Sequence, residues 1–141
     1  MTPADPHDLD RFLVAQQPVI GAVRDELRLG RKASHWMWFV FPQLAGLGRS
    51  AMAQHYAIGS VEEARAFLDH PVLGSRLVEC VELVLAVEGR MAHDIFGSPD
   101  DMKLCSCLTL FDSIDRNGVF ARALERYFEG KPDRATLDLL G

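Results

Sequence analysis

Helix-cap and turn residues interrupt the sequence roughly every 10 to 20 positions, and the apolar residues between them recur at the period of an α-helix. Proline and glycine end helices, whereas a serine or aspartate before an apolar run supplies the oxygen that caps a new one. Only residues 36–41 have the composition of a strand, and a single strand has no partner to pair with. The pattern therefore predicts an all-α fold, a compact single-domain bundle of about seven to eight helices over residues 1–141.

Local signals also predict where the helices begin and end. Asp5 is placed to cap a first helix at about 6–16. Pro18 breaks the apolar stripe, so a second helix is expected at about 18–29, ending at Gly30. The other helices are predicted at about 34–41 as a short aromatic helix, between Ser60 and His70, at about 71–88 as the central helix, after Ser98-Pro99, from Val119 to Phe128 and from Ala135 to Leu140.

Composition excludes several classes of function. Hydrophobic residues make up 48% of the chain and charged residues 25%, an ordinary globular balance. The net charge of −5 has the wrong sign for non-specific nucleic-acid binding. No apolar run approaches the roughly 20 residues that span a bilayer, and the acidic amino terminus does not resemble a signal peptide. Three cysteines without a CxxC pair, Cys80, Cys105 and Cys107, indicate free thiols in a reducing compartment, so we expect a cytoplasmic protein.

Residues 34–41 contain two tryptophans, two phenylalanines, a methionine and a histidine, and both tryptophans of the chain lie here. As a helix, this segment would be apolar nearly all the way round, so it must be buried or line a pocket. Lys32 precedes it, and Gln43 and a glycine-bearing loop at 45–50 follow it. The stretch 32–50 is therefore the first place to look for a functional site.

Two interpretations of this stretch are open. In a ligand pocket, Trp36 or Trp38 would stack a flat or sugar-like ring, and Lys32, His35 and Gln43 would supply the polar contacts. His35 is then the candidate catalytic residue, since its charge changes near neutral pH. Alternatively the aromatic side chains are simply core, and the His35 ring donates to a backbone carbonyl.

The loop at 45–50 is a weaker candidate. Its sequence, AGLGRS, lacks the spacing of a phosphate-binding motif. It could still offer backbone N–H groups and Arg49 to an anion where Ser50 begins a helix. An ordinary interhelical loop, with Ser50 as N-cap, is the simpler interpretation.

A secondary polar cluster consists of Asp101, Lys103, Ser106 and Thr109. Lys103 and Ser106 are one helical turn apart, so their side chains could meet. Nucleophilic serine–lysine pairs normally have the order SxxK, which is reversed here, so helix capping and a solvated face are more typical of this pattern. The histidines are scattered and form no metal-binding motif, so neither a metal nor a cofactor is predicted.

These segments resemble a bacterial family known as domain of unknown function 1810, some members of which carry the label "calpastatin". The resemblance covers about residues 5–140 and rests on DPHDLDRFLVAQ, SHWMWFVFPQLAGLGRS, HPVLGSRL, IFGSPDDMKL with the following TLF, and the final VF…L…YF. It implies an all-helical single domain and brings no established reaction, cofactor or catalytic residue. The label does not fit the residues, because calpain inhibitors are long, disordered and repetitive, whereas this chain is 48% hydrophobic.

The predicted function is binding or processing of a small nucleotide-like or sugar-like metabolite through residues 32–50, with Lys32 and Arg49 meeting its anion. The alternative is a protein-interaction module or homodimer in which the tryptophan-rich block is the contact surface. An enclosed cavity edged by Lys32, His35 and Gln43 would favour the first. A flat, exposed aromatic patch, or burial of both tryptophans without a cavity, would exclude it.

Overall fold

Apolar stripes form helices along most of the chain. The computed structural model of the protein describes residues 4–141, so the first three residues of the predicted domain and of the acidic amino terminus lie outside the described part. The described residues contain ten α-helices, which confirms the all-α class: α1 Asp10–Gln16, α2 Ile20–Leu29, α3 Met37–Val40, α4 Ala51–His55, α5 Val61–Asp69, α6 Leu73–Leu85, α7 Ala92–Phe96, α8 Asp100–Asp112, α9 Val119–Phe128 and α10 Arg134–Leu140.

The helix count exceeds the expected seven to eight because two short helices, α4 and α7, lie between the longer ones. Each has five residues, too few to show an apolar period. Ser50 caps α4 by accepting from the Ala53 N–H at 3.1 Å, which confirms its predicted role as an N-cap. Before α7, the Asp94 carboxylate accepts from the Met91 N–H at 2.9 Å.

The breaks near the amino terminus occur close to the predicted positions. The Asp5 carboxylate accepts from the backbone N–H groups of Leu9 at 2.8 Å and Asp10 at 2.9 Å, which lie at the start of the helix. Helix α1 itself begins later than predicted, at Asp10. Pro18 lies in the turn between α1 and α2. Gly30 ends α2 with φ of 70°, and a Cβ there would meet the Val87 side chain at 2.9 Å. Both the conformation and the space therefore require glycine.

Helix α6, which the sequence predicts as the central helix, packs against α2, α5 and α9. Helix α8 packs against α9, α7, α10 and α5, and it is buried without interruption from Leu104 to Phe111. A run of phenylalanines links these elements, with ring centroids 5.0 to 5.6 Å apart: Phe12, Phe67, Phe111 and Phe120. The helices thus share one hydrophobic core.

The aromatic segment crosses this core between α2 and α4. Helix α3 packs against α1, and the buried Gln16 amide donates to the Phe39 carbonyl at 2.7 Å. The chain then runs extended for a few residues, where Leu44 and Ile58 form an isolated parallel bridge. This packing fixes the position of the segment that carries the predicted site.

Candidate functional site

Most of the tryptophan-rich block is core. Trp36 is 1% exposed and Met37 2%, and Phe39 and Phe41 are also buried. Trp38 is the exception, because its indole is only partly buried. The aromatic side chains of the block therefore build the interior, as the core interpretation predicts, and one tryptophan reaches the surface.

Glu26, near the end of α2, anchors the residues that lead into α3. Its Oε1 accepts from the N–H groups of Ala33 at 2.7 Å and Ser34 at 2.9 Å, and from the Trp36 indole at 3.0 Å. Its Oε2 accepts from the Ser34 hydroxyl at 2.5 Å. Burial raises the pKa of Glu26, but these hydrogen bonds outweigh it and bring the pKa from its ordinary value of 4.5 down to about 2. A single carboxylate thus holds the entry to the aromatic segment.

Lys32 is held inside the protein. Its ammonium donates to the Ser34 carbonyl at 2.7 Å, pairs with Asp100 Oδ2 at 2.9 Å and lies 5.1 Å from the Trp36 ring centre. Its side chain is 7% exposed. Three contacts within the protein therefore stabilise the positive charge of Lys32. One of them, the ion pair, also holds the Asp100 carboxylate in place.

At the start of α8 the structure brings Lys103, one residue of the secondary polar cluster, close to Lys32 and Trp38. Asp100 presents Oδ2 to Lys32 and Oδ1 to Lys103, whose ammonium lies 3.6 Å away. The same Lys103 ammonium lies 5.6 Å from the centre of the Trp38 ring. Trp38 and Lys103, which come from separate sequence segments, therefore share one surface, with Asp100 and Lys32 beneath it. We call it the Trp38 surface, and His35 lies in the exposed bend just before α3.

The rest of the secondary polar cluster faces other partners. Asp101 lies 3.4 Å from the exposed His93 imidazole. Ser106 is buried against α10, where its hydroxyl lies 3.1 Å from Asp133 Oδ2. Lys103 does not contact Ser106 in the hydrogen bonds and ion pairs of residues 4–141, so the structure does not assemble a serine–lysine pair.

The other predicted site residues are spread along the segment. Gln43 is half-buried, and its carbonyl accepts from the Ile58 N–H at 2.8 Å. Arg49 and Ser50 are exposed, with the Ser50 hydroxyl engaged as the N-cap of α4. Within the described chain, no hydrogen bond or ion pair joins these three residues to Lys32 or to the Trp38 surface.

The main clefts lie elsewhere. One of about 710 Å³ is formed by the amino-terminal residues with Ala66 and His70, and the lining of another, of about 460 Å³, includes Phe128 and Pro132. A cleft of about 180 Å³ touches the segment, at Leu44. None of these clefts is edged by Lys32, His35 and Gln43, so the enclosed cavity that would favour a ligand pocket in the stretch 32–50 is not among them.

Between residues 4 and 141, no three histidine, cysteine, aspartate or glutamate side chains come together as a metal site would require. The helices of that same stretch are all too short or too polar to cross a bilayer.

Sequence reasoning missed Glu26 and Asp100 as parts of the site. Glu26 looks like any charged residue on an amphipathic helix, and its partners follow only after the turn at Gly30. Asp100 is recognisable as a first-turn acid of α8, but its pairing with Lys32 is tertiary. No local pattern points to either role.

Comparison with known proteins shows the family of the chain. The family model described as "Protein of unknown function (DUF1810)" matches residues 6–140. The chain belongs to this family. Among solved structures, it is similar to the conserved hypothetical protein Rv1873 from Mycobacterium tuberculosis, with 55% identity and a TM-score of 0.95, over 96% of this chain and 98% of that one. No curated protein matches it.

Proposed function

We propose that this DUF1810 protein binds a small, ring-bearing polar metabolite, nucleotide-like or sugar-like, at the Trp38 surface. The observation that carries the proposal is the Lys103 ammonium 5.6 Å from the Trp38 ring centre. A partly exposed indole beside a cation is the combination that recognises an anionic ligand with a flat or sugar-like ring.

The charged groups around Lys103 leave its ammonium able to bind an anionic group of a ligand. Asp100 pairs closely with Lys32, at 2.9 Å, and lies 3.6 Å from Lys103, which is beyond ordinary hydrogen-bond length. The Lys103 ammonium therefore keeps donors for a ligand oxygen, while Asp100 limits how far the side chain can swing. A ligand ring would take the place of the ammonium on the indole face, and the ammonium would turn to the ligand's anionic group on its flexible stem.

Burial of the block argues for a small ligand over a protein partner. An interaction hot spot needs a cluster of exposed large side chains. Here Trp36, Met37, Phe39 and Phe41 are buried, and Trp38 alone among the aromatic side chains of 36–41 is partly exposed. One indole suffices to stack a ring, and stacking on an aromatic side chain contributes about 1–3 kcal/mol.

Tryptophan fluorescence tests the proposal directly. Nucleotides, sugars and sugar phosphates would be screened against the wild type and against Trp38→Phe, in which the buried Trp36 is the remaining reporter. We expect a saturable change in emission that Trp38→Phe abolishes and Lys103→Gln weakens. The change should persist in Lys131→Gln, the matched control, because Lys131 is an exposed lysine whose partner is Glu129 and not Asp100.

The contrary result is equally clear. If no compound changes the emission, or if Trp38→Phe binds as tightly as wild type by calorimetry, the Trp38 surface is not a binding site. Circular dichroism of each variant serves as the control for an intact fold.

A further inference from the structure

A second polar feature lies where the loop 86–91 meets the carboxyl-terminal end of α9. Gly89, Arg90, Met91, Arg126 and Tyr127 line a cleft of about 350 Å³, which we call the arginine cleft. A Cβ built on Gly89 would meet no atom within 4 Å, so the cleft is open above the loop. It shares no residue with the Trp38 surface.

Backbone carbonyls hold both arginine side chains in place. Arg90 donates from Nε to the Gly30 carbonyl at 2.9 Å and from Nη2 to the Asp94 carbonyl at 2.8 Å. Arg126 donates from Nη2 to the Val87 carbonyl. Within the described residues these bonds leave Nη1 of each guanidinium without a protein acceptor. The two groups are therefore oriented in advance and still have donors to offer.

Neither guanidinium is neutralised by a carboxylate in the part of the chain that the structure describes. Glu88 belongs to the same loop but does not line the cleft. The Asp94 carboxylate accepts from the Met91 N–H instead of from either arginine. The hydrogen bonds to backbone carbonyls explain why the two arginine side chains are held in place. They do not explain why two positive charges without a carboxylate partner line one cleft of an acidic protein.

We propose that the arginine cleft binds the phosphate group of a soluble metabolite. Guanidinium groups match the oxygens of phosphate with paired N–H donors, and two of them complement a dianion better than a singly charged carboxylate. The volume accommodates a phosphate with a small substituent, which would lie against the Tyr127 ring and Met91. A soluble source fits better than a lipid headgroup, because the net charge of −5 opposes approach to an anionic membrane.

Calorimetric titration with inorganic phosphate, and with acetate at equal ionic strength, tests the site. We expect saturable binding of phosphate and none of acetate. Arg126→Gln and Arg90→Gln should each raise the Kd for phosphate about tenfold or more, which is the loss of affinity typical of removing one charged hydrogen-bonding group. Arg122→Gln is the matched control, since Arg122 is exposed on the same helix and forms no ion pair within residues 4–141; it should bind as wild type.

Two further variants keep the test decisive. Arg90→Gln could fail to fold, because the carbonyls of Gly30 and Asp94 lose their donor. In that case Arg126→Lys still tests the site, because it keeps the positive charge and removes the paired N–H donors of the guanidinium. This variant should bind phosphate more weakly than wild type. Lys103→Gln should leave phosphate binding unchanged, which distinguishes this site from the Trp38 surface.

Three results would overturn the proposal: no saturable phosphate binding, an equal loss in Arg122→Gln, or a loss confined to Lys103→Gln. A vesicle arm distinguishes the sources of phosphate. Arginine-dependent sedimentation with phosphatidic-acid vesicles that free phosphate does not displace would assign the group to a lipid and exclude the soluble ligand.

Discussion

Lys32 Nζ and Asp100 Oδ2 lie 2.9 Å apart, which joins the segment after α2 to the first turn of α8. The two side chains are 7% and 20% exposed, so water reaches this pair poorly. Removing one partner would leave the other charge inside the protein with weaker compensation.

Asp100→Asn should therefore lower the free energy of unfolding by about 2 kcal/mol, between the values for exposed and fully buried ion pairs. Urea denaturation measures the change. Asp138→Asn is the control, because its pair with Arg134 is mostly exposed and its loss should cost less than about 0.5 kcal/mol. Equal effects of the two substitutions would show that Lys32 does not depend on Asp100.

Glu26 predicts a pH dependence of stability. Its pKa in the folded protein is about 2, against an ordinary 4.5, because the hydrogen bonds from Ser34, Ala33 and Trp36 outweigh the effect of burial. A lowered pKa means that the stabilisation is complete above about pH 4.5 and is lost as the pH falls toward 2. Glu26→Gln should cost about 2 kcal/mol at neutral pH, with allowance for solvent screening, and progressively less below pH 4.5.

Urea denaturation at a series of pH values follows this difference. The control is Glu125→Gln, which removes an exposed carboxylate on α9 that forms no ion pair in the described chain. A gap between wild type and Glu26→Gln that stays constant from neutral pH to acid would contradict the assigned role of the carboxylate.

The cysteines predict low thiol reactivity. Burial raises the pKa of Cys80 to about 12 and that of Cys105 to about 11, with the nearby carboxylates of Glu79 and Asp133 adding to the effect. Burial also raises the pKa of Cys107 well above its ordinary value. A disulfide reagent at about pH 8 should therefore label none of the three thiols in the native protein and all three in denaturant. Rapid labelling of native Cys105 would contradict this prediction.

Local chemistry explains how much of the fold the sequence predicts. The hydroxyl of Ser60 accepts from the Glu63 N–H at 3.1 Å, as its position before an apolar run predicts. Asp133 likewise caps α10 by accepting from the Thr136 N–H at 3.0 Å. Such signals depend on neighbours within one turn of helix, so they are visible in the chain order.

The site was less predictable because its contacts are tertiary. The sequence singles out Trp38 and Lys103 in separate clusters, but nothing in the spacing shows that the start of α8 meets the aromatic segment. Arg90 and Arg126 were missed altogether, since each has the pattern of an ordinary surface arginine. Their shared cleft exists only once α6, α7 and α9 are packed.

Arg11 carries the last prediction, because its guanidinium joins the amino-terminal turn to two later segments. It donates to the carbonyls of His7, His55 and Ala57 at 2.6 to 2.9 Å and to Glu63 Oε2 at 2.7 Å. Arg11→Gln should lower the free energy of unfolding by about 3 kcal/mol, because it leaves a mostly buried carboxylate without its cation.

Arg11→Lys should recover little of this stability, because a single ammonium group cannot reach all the carbonyl and carboxylate acceptors that the planar guanidinium of Arg11 contacts. Chemical denaturation of both variants measures the losses, and Arg65→Gln, an exposed arginine on α5, serves as the control with an expected change of less than about 0.5 kcal/mol. If the lysine variant matches wild type, charge alone holds Glu63, and the carbonyl contacts of Arg11 contribute little to joining the amino-terminal turn to the core.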